Sequence, residues 1–367
     1  MWTFRYWNRV LCHSVTMVCS RYCLLAVVIL MLICMGDTLA QWRVSQRPPR
    51  MNYNLTIQEA ASIAALTNIH TFQQILKPIL VPRIVSTPQH RQVGEYLFKK
   101  MQDAGFHVEW DEFVDNTPYG SNQFRNIIAT FDPHAPRRLV LACHYDSKIL
   151  KGSVFIGAVD SAVPCAMLVD FANTLGPLLR SHSNSPITLQ LVFLDGEEAF
   201  VEWTRTDSTY GARHLANLWS RQWYPTSSRT QPLELSRELD RIDAFVLLDL
   251  LGASNPRIAH TIGHGTKPLF VGLENIEKNL RSAGKLRPIP QIFSGHDSWH
   301  AVEDDHIPFM ESGVPIMHLI PVPFPTVWHT PSDNEKALDN RTIYNLLSIL
   351  RVFVAEYLGL KPTTFTE

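Results

Sequence analysis

Short apolar runs that alternate with helical stretches constrain the fold of this chain more than any other feature. The runs LVLA (139–142), LQLVFL (189–194) and FVLLDL (245–250) contain almost no polar residue. Such runs are typical of strands buried on both faces, as in a parallel sheet covered by helices. The chain is therefore predicted to be an α/β protein, with a mixed, mostly parallel central sheet flanked by helices.

The predicted elements follow one another without a clear break after residue 41. A capping threonine and a proline, Thr87 and Pro88, begin one helix that Gly105 ends, and residues 56–79 have helical spacing interrupted by Pro78. Further strands are predicted at 124–131, 138–143, 187–194, 242–250 and 314–320, and further helices at 161–179, 210–219, 268–283 and 340–358. No Gly/Ser linker, charge run or internal repeat divides residues 41–367, which are predicted to form a single domain.

The first 40 residues have the composition of an export signal. Arg5, Arg9 and Arg21 precede thirteen unbroken apolar residues at 23–35. A membrane-spanning helix needs about 20 such residues, whereas the apolar core of a signal peptide needs only about 7–15. We predict that residues 1–40 are a signal peptide cleaved after Ala40, so that the protein is secreted and keeps no stable membrane contact. The alternative is an uncleaved anchor that holds the protein in the Golgi membrane.

Cysteine usage and glycosylation motifs agree with export. Of six cysteines, only Cys143 and Cys165 lie outside the leader, a number suited to one disulfide in an oxidising compartment. The alternative is a pair of buried free thiols. Asn54 and Asn340 each begin an Asn-X-Thr glycosylation sequon.

The charge balance excludes one class of partner. The chain has 33 Lys+Arg against 34 Asp+Glu, and its formal net charge is −1. Because this balance provides no basic field, we expect no nucleic-acid partner.

The predicted sheet carries polar side chains at or near the ends of its strands. They are His144, Asp146, Asp160, Glu197, Glu198, Asp249, Asp304 and His329. Taken singly, each has a plain structural alternative, such as a helix cap at Asp160 or a solvated turn at Glu197 and Glu198. Carboxyl ends of parallel strands meet at one edge of a sheet, so the whole set predicts a metal site there. Mixed Asp, Glu and His ligation without a cysteine cluster suits Zn²⁺, which usually leaves one position open in catalytic sites.

Six segments give this pattern a specific family likeness. They are ACHYDSK, GAVDSAVPCAM, FLDGEEAF, STYGARHLA, EDDHIPF and HLIPVPFPTVWHTPSDN. Together they resemble the glutaminyl-peptide cyclotransferases, the animal glutaminyl cyclases, whose fold is related to that of zinc aminopeptidases. The resemblance implies cyclisation of an N-terminal glutamine, or glutamate, of peptides and proteins to pyroglutamate, with ammonia released from glutamine.

The resemblance also implies a role for particular residues. By matching the motifs, it assigns one zinc ion per chain to Asp160, Glu198 and His329, and acid–base catalysis to Glu197 with support from Asp249 and Asp304. It assigns the walls of the substrate pocket to Trp203, Phe324 and Trp328, and it implies a Cys143–Cys165 disulfide. We expect the protein to be a monomer.

Two other functions fit part of this pattern. A two-zinc aminopeptidase of the same fold uses the same ligand types, which His144, Asp146 and Asp249 would complete. A catalytically inactive extracellular binding module is the second alternative, although the intact carboxylates and His329 argue against it. The aromatic segments around Trp203 and Trp328 favour the cyclase.

Overall fold

A six-stranded sheet forms the centre of the computed structural model, which describes residues 51, 54–223, 237–261, 265–298 and 302–362. The strands β3 (Arg137–His144), β4 (Ile187–Leu194), β5 (Ile242–Leu248) and β8 (Ile316–Leu319) run parallel in the order β4-β3-β5-β8. An antiparallel hairpin of β1 (His107–Thr117) and β2 (Gly120–Thr130) extends the sheet beyond β4. The sheet is therefore mixed and mostly parallel, as predicted. Strands β6 (Ile258–Thr261) and β7 (Phe293–Ser298) form a separate parallel pair.

Eight α-helices flank these strands in the described part of the chain. They are α1 (Ile57–Ala64), α2 (Ile69–Leu76), α3 (Pro88–Asp103), α4 (Val163–Ser181), α5 (Tyr210–Arg221), α6 (Lys267–Ser282), α7 (Ile307–Glu311) and α8 (Asn340–Leu358).

Alternation along β3 shows how the helices divide between the two faces of the sheet. Leu139 and Leu141 belong to a core that contains buried residues of α4 and α8. Val140 and Ala142 belong to a second core that contains buried residues of α5 and Phe309 of α7. Because successive side chains of a strand point to opposite faces, an unbroken apolar run is what a sheet covered on both faces requires. The predicted fold class is confirmed.

Local sequence signals explain where several of these helices begin or end. The Thr87 side chain accepts a hydrogen bond from the His90 backbone N–H at 3.3 Å, and this helix, α3, ends before Gly105, which has a φ of 89°. The predicted helical region at 56–79 is two helices, because the Asn68 side chain caps a new start at Ile69. Helix α4 begins at Val163, later than predicted, because Asp160 and Ser161 have non-helical backbone angles.

The hairpin strand β1 was not predicted from the sequence. Exposed and partly buried residues alternate along it, and only Asp111 and Thr117 are fully buried. Its apolar residues are separated by charged ones, so it lacks the continuous apolar run that marks the parallel strands.

The predicted leader, 1–40, lies outside the described residues. The described residues belong to one compact unit, Pro49–Glu367. Among them, one helical stretch, Ala158–Ser181, is long and apolar enough to cross a membrane, but 83% of its most apolar window is buried inside the protein. This stretch is a core helix packed on the sheet.

The two cysteines are neighbours but not bonded. Cys143 on β3 and Cys165 on α4 are fully buried free thiols, with their Sγ atoms 3.4 Å apart. A disulfide bond is about 2.05 Å long. The predicted disulfide is therefore not formed in this structure, although its two partners are in contact.

The two sequon asparagines are both exposed. Asn54 precedes α1, and Asn340 is the first residue of α8. Either side chain is accessible at the protein surface.

Candidate metal and active site

The three predicted metal ligands converge at the carboxyl end of the parallel strands. His329 Nε2 lies 3.5 Å from Asp160 Oδ2 and 3.4 Å from Glu198 Oε1. These three side chains come from loops that precede α4, follow β4 and follow β8. Sequence reasoning therefore placed three residues, separated by up to 169 positions, in one cluster.

The donor atoms in this cluster fit a metal ion. Asp160 Oδ2 and Glu198 Oε1 are buried and accept no hydrogen bond, although a buried carboxylate oxygen normally has a partner. Both face the same imidazole nitrogen, and the three ligand atoms lie within 4.8 Å of one another. Two carboxylate oxygens and one imidazole nitrogen are a donor set suited to Zn²⁺.

A buried arginine holds the loop that carries Asp160. Arg83 is fully buried, and its guanidinium donates hydrogen bonds to several backbone carbonyl oxygens. Two of these are in the loop itself, Ile156 O at 2.6 Å and Gly157 O at 3.1 Å. The guanidinium also lies 3.4 Å from the carbonyl oxygen of Asp160. Arg83 therefore holds the backbone of Asp160, the first of the predicted metal ligands, in place.

Asp333 ties the same loop to the loop of His329. Its Oδ1 accepts a hydrogen bond from the Val159 backbone N–H at 2.8 Å, and its carbonyl oxygen accepts one from Ala158 at 3.4 Å. Because Asp333 follows His329 by only four residues, this contact fixes the spacing of the two ligand loops.

Two aspartates shape the loop after β4. Asp146 accepts hydrogen bonds from the backbone N–H groups of Glu197 at 3.1 Å and Glu198 at 3.2 Å. Asp207 accepts three more, from the N–H groups at positions 200–202 at 2.9–3.1 Å. The ammonium of Lys148 lies 3.0 Å from Glu198 Oε2. One Glu198 oxygen is thus paired with the Lys148 ammonium, and the other faces Asp160 and His329.

A second cluster adjoins the first. His144 Nε2 lies 3.0 Å from Asp160 Oδ1 and 3.4 Å from Asp249 Oδ1. The Ser161 hydroxyl donates to the same Asp249 oxygen at 2.5 Å. The buried Asp249 therefore has the polar partners that a carboxylate inside an apolar run requires.

The two supporting carboxylates line one cavity but have separate partners. Asp304 Oδ2 lies 2.7 Å from His318 Nε2, and its Oδ1 accepts the Asp305 backbone N–H at 2.6 Å. Burial and the nearby charge of Asp304 raise the pKa of Asp249 to about 6. Burial, with Glu198 and Asp304 nearby, raises the pKa of Glu197 well above its ordinary value. An acid with a raised pKa can both accept and donate a proton near neutral pH.

The predicted aromatic residues surround this chemistry. A cavity of about 390 Å³ is lined by Trp203, Phe324, Trp328, Glu197, Asp249, Asp304 and the three clustered ligands, together with Lys148, Leu250, Val302, Glu303 and Ile320. The Phe324 and Trp328 rings are 4.9 Å apart, and Trp328 stacks on His329 at 4.0 Å. Trp203 and Trp328 remain 36% and 40% exposed, so neither is an ordinary core residue.

Sequence reasoning did not assign roles to Arg83, His318 or Asp333. Arg83 acts through backbone carbonyls, so no sequence spacing marks it. His318 lies on the short buried strand β8 and is the first residue of the segment HLIPVPFPTVWHTPSDN, but its role follows only from its contact with Asp304. Asp333 lies within the segment that carries the family likeness, which is the one signal that could have drawn attention to it.

Comparison with known proteins agrees with the geometry of the site. The model of peptidase family M28 matches residues 126–354. The glutaminyl-peptide cyclotransferase of Bothrops jararaca is 45% identical over 336 residues, covering 87% of this chain and 89% of the relative. The Drosophila melanogaster glutaminyl-peptide cyclotransferase is 41% identical, with 84% and 88% coverage.

Solved structures give the same relationship. The glutaminyl cyclase of Macrostomum lignano superposes with a TM-score of 0.76 at 37% identity, covering 85% of this chain and 98% of the other. A leucine aminopeptidase precursor from Bacteroides thetaiotaomicron superposes with a TM-score of 0.59 at 18% identity, covering 82% of this chain and 98% of the other. The second match shows the shared fold alone.

Proposed function

The chain belongs to the glutaminyl-peptide cyclotransferases of peptidase family M28, and from this we propose that it is a zinc-dependent glutaminyl-peptide cyclotransferase, an aminoacyltransferase. It converts the N-terminal glutamine of peptides and proteins to pyroglutamate and releases ammonia. The observation that carries the proposal is the cluster of Asp160, Glu198 and His329 in a cavity with aromatic walls.

One zinc ion per chain is proposed at this cluster. Asp160 Oδ2, Glu198 Oε1 and His329 Nε2 would hold it. When bound, zinc supplies a Lewis acid that polarises the side-chain carbonyl of the substrate glutamine.

Glu197 is proposed as the general acid–base group. The α-amino nitrogen of the substrate forms a bond to the side-chain amide carbon, and the bond from that carbon to the amide nitrogen breaks. Glu197 lines the cavity beside Glu198, so its carboxylate can accept the proton of the attacking amine and deliver it to the departing ammonia. Because the nucleophile belongs to the substrate, the reaction needs no activated water.

The remaining lining residues orient the substrate and exclude water. Asp249 and Asp304 offer carboxylate oxygens to the α-amino group, which attacks only when it is neutral and whose free pKa is about 7.7–8.0. Trp203, Phe324 and Trp328 cover the aliphatic part of the glutamine side chain. Exclusion of water suppresses the competing hydrolysis of glutamine to glutamate.

The cluster of His144, Asp160 and Asp249 favours a second candidate, a two-zinc aminopeptidase. In this structure, however, Asp249 Oδ1 already accepts a hydrogen bond from the Ser161 hydroxyl at 2.5 Å, whereas Asp160 Oδ2 and Glu198 Oε1 accept none. Relatives that are 41–46% identical are glutaminyl-peptide cyclotransferases and cyclotransferase-like proteins, which supports the cyclase.

One experiment separates the two candidates. Purified protein is incubated with a peptide that begins with glutamine, and the products are weighed by mass spectrometry. We expect a product lighter by one ammonia, with every peptide bond intact. Release of free glutamine would instead establish the aminopeptidase, and an unchanged peptide would favour the inactive binding module.

Export and its associated modifications are also proposed. Residues 1–40 would direct secretion, or Golgi retention if the leader stays uncleaved. The contact between the Cys143 and Cys165 thiols supports a disulfide formed in an oxidising compartment, and the exposure of Asn54 and Asn340 supports glycosylation. We propose that the exported enzyme is a monomer. Intact-mass analysis of the secreted protein, with and without reduction and deglycosylation, tests these modifications, and light scattering tests the monomer.

A further inference from the structure

A second cavity adjoins the one lined by the predicted zinc ligands. Its volume is about 580 Å³, within the range of ligand pockets, and it shares Trp203, Glu303 and Asp304 with the first cavity. Ile307, Pro308 and Met310 contribute apolar surface to its lining. A peptide whose first residue occupies the cavity lined by Asp160, Glu198 and His329 must continue outward, and the shared residues lie where the two cavities meet.

Glu303 is the distinctive charge at this junction. It is exposed, and its Oε2 accepts a hydrogen bond from the Trp203 indole N–H at 3.0 Å. No Lys, Arg or His of the described residues lies within ion-pair distance of it. By contrast, Arg205 in the second cavity is paired with Glu311 at 2.5 Å. Glu303 therefore presents an uncompensated negative charge beside a partly exposed indole ring.

Such a combination favours a cation with an apolar stem. A carboxylate attracts the charged end of lysine or arginine, and the face of a neighbouring tryptophan attracts the same charge through its ring quadrupole. The methylene stem of the same side chain can lie along apolar surface while its charged end stays in water. Successive residues of an extended peptide advance by about 3.3–3.6 Å, so the residue after glutamine reaches the junction first.

We propose that Glu303 and Trp203 form a subsite for the second residue of the substrate and select lysine or arginine there. This inference rests on the proposed cyclase activity and adds a substrate class to it. The peptide beyond that residue lies in the second cavity. Because exposed ion pairs are weak, the expected preference is about two- to fivefold in kcat/KM, and added salt should reduce it.

The test compares three peptides that differ only at position two, which is lysine, norleucine or glutamate. Norleucine keeps the methylene stem of lysine without its charge. We expect kcat/KM to fall in the order lysine, norleucine, glutamate. Equal values for the lysine and norleucine peptides, or a preference for glutamate, would overturn the inference.

Two variants assign the preference to Glu303. Glu303→Gln retains an acceptor for the Trp203 indole but removes the charge, so the lysine-to-norleucine ratio should approach one. Each ratio is measured within one variant, so a general change in rate cancels. Glu109→Gln removes the same charge from β1, outside both cavities, and should keep the wild-type ratio. A ratio that persists in Glu303→Gln, or that Glu109→Gln also abolishes, contradicts the assignment.

The same assay distinguishes this inference from the proposed function. If no peptide is cyclised, the cyclase itself is wrong and the inference falls with it. If all three are cyclised without discrimination, only the subsite is wrong.

Discussion

Replacing Arg83 with methionine should weaken both the fold and the metal site. The guanidinium is fully buried, and methionine fills a similar volume but donates no hydrogen bond. The substitution would remove the arginine donor from six carbonyl oxygens, of which those of Ile79 and Gly157 keep a backbone N–H donor. The six oxygens belong to Ile79, Val81, Tyr145, Ile156, Gly157 and Asp160, at 2.6–3.4 Å.

The size of the effect follows from these contacts. Each buried polar group left unsatisfied costs about 1–3 kcal/mol. Removing the buried charge returns part of this, because the guanidinium no longer has to be desolvated. The net loss in free energy of unfolding should be about 3–5 kcal/mol, which is what remains of several such penalties after this gain. Release of the loop at Gly157 and Asp160 should also weaken zinc binding by about 10–100-fold, as for other residues that orient metal ligands.

A second buried arginine provides the matched control. Arg351 is equally buried but contacts Asp170 and Thr174, away from the metal cluster. Urea unfolding of the metal-free proteins and zinc titration against a competing chelator should separate the two effects. We expect Arg351→Met to lose stability but to keep wild-type zinc affinity. If Arg83→Met binds zinc within about threefold of wild type, or no more weakly than Arg351→Met, the reasoning is refuted.

Four further substitutions test the catalytic and electrostatic assignments. Glu197→Gln should retain zinc but lose about 10²–10⁴-fold in kcat, and a loss of only a few-fold would remove its acid–base role. His329→Ala should lose both zinc and activity. His144→Ala should keep one zinc ion per chain, as measured by metal analysis. Two zinc ions in active wild-type protein would contradict the one-metal site. Burial raises the pKa of Glu356 to about 7, so its folded carboxyl binds a proton more tightly than the unfolded one. The Glu356 carboxyl should therefore lower stability as pH rises from about 4.5 to 7. Glu356→Gln should raise the free energy of unfolding by about 1 kcal/mol at pH 8, because the amide carries no charge that burial disfavours and keeps an acceptor for the Leu55 backbone N–H. An unchanged denaturation midpoint at pH 8 would contradict this.

The sequence was sufficient to predict five of the six strands of the central sheet and the residues at its carboxyl end. Nearly continuous apolar runs at β3, β4 and β5 indicated burial on both faces, and parallel strands bring their ends to one edge. Asp160, Glu198 and His329 could therefore be placed together although they are distant in the chain. Motif likeness supplied their individual roles.

The supporting contacts could not be predicted in the same way. Arg83 recognises carbonyl oxygens, which every residue has, so nothing in the sequence identifies its partners. His318, on strand β8, acquires its role only through its contact with Asp304, which lies in a separate loop. Strand β1 was missed because strand pairing with β2, rather than a continuous apolar run, defines it.

The hairpin also has a consequence for how copies of this protein behave at high concentration. Strand β1 is an edge strand eleven residues long, and one side of its backbone faces no neighbouring strand in the described sheet. An unpaired strand of this length could template pairing with another molecule. Glu109, Glu112 and Asp115 place carboxylates along it, and a second β1 aligned beside the first would bring like charges together. Resistance to edge-to-edge pairing of folded molecules thus depends on the charge pattern of one strand that takes no part in catalysis.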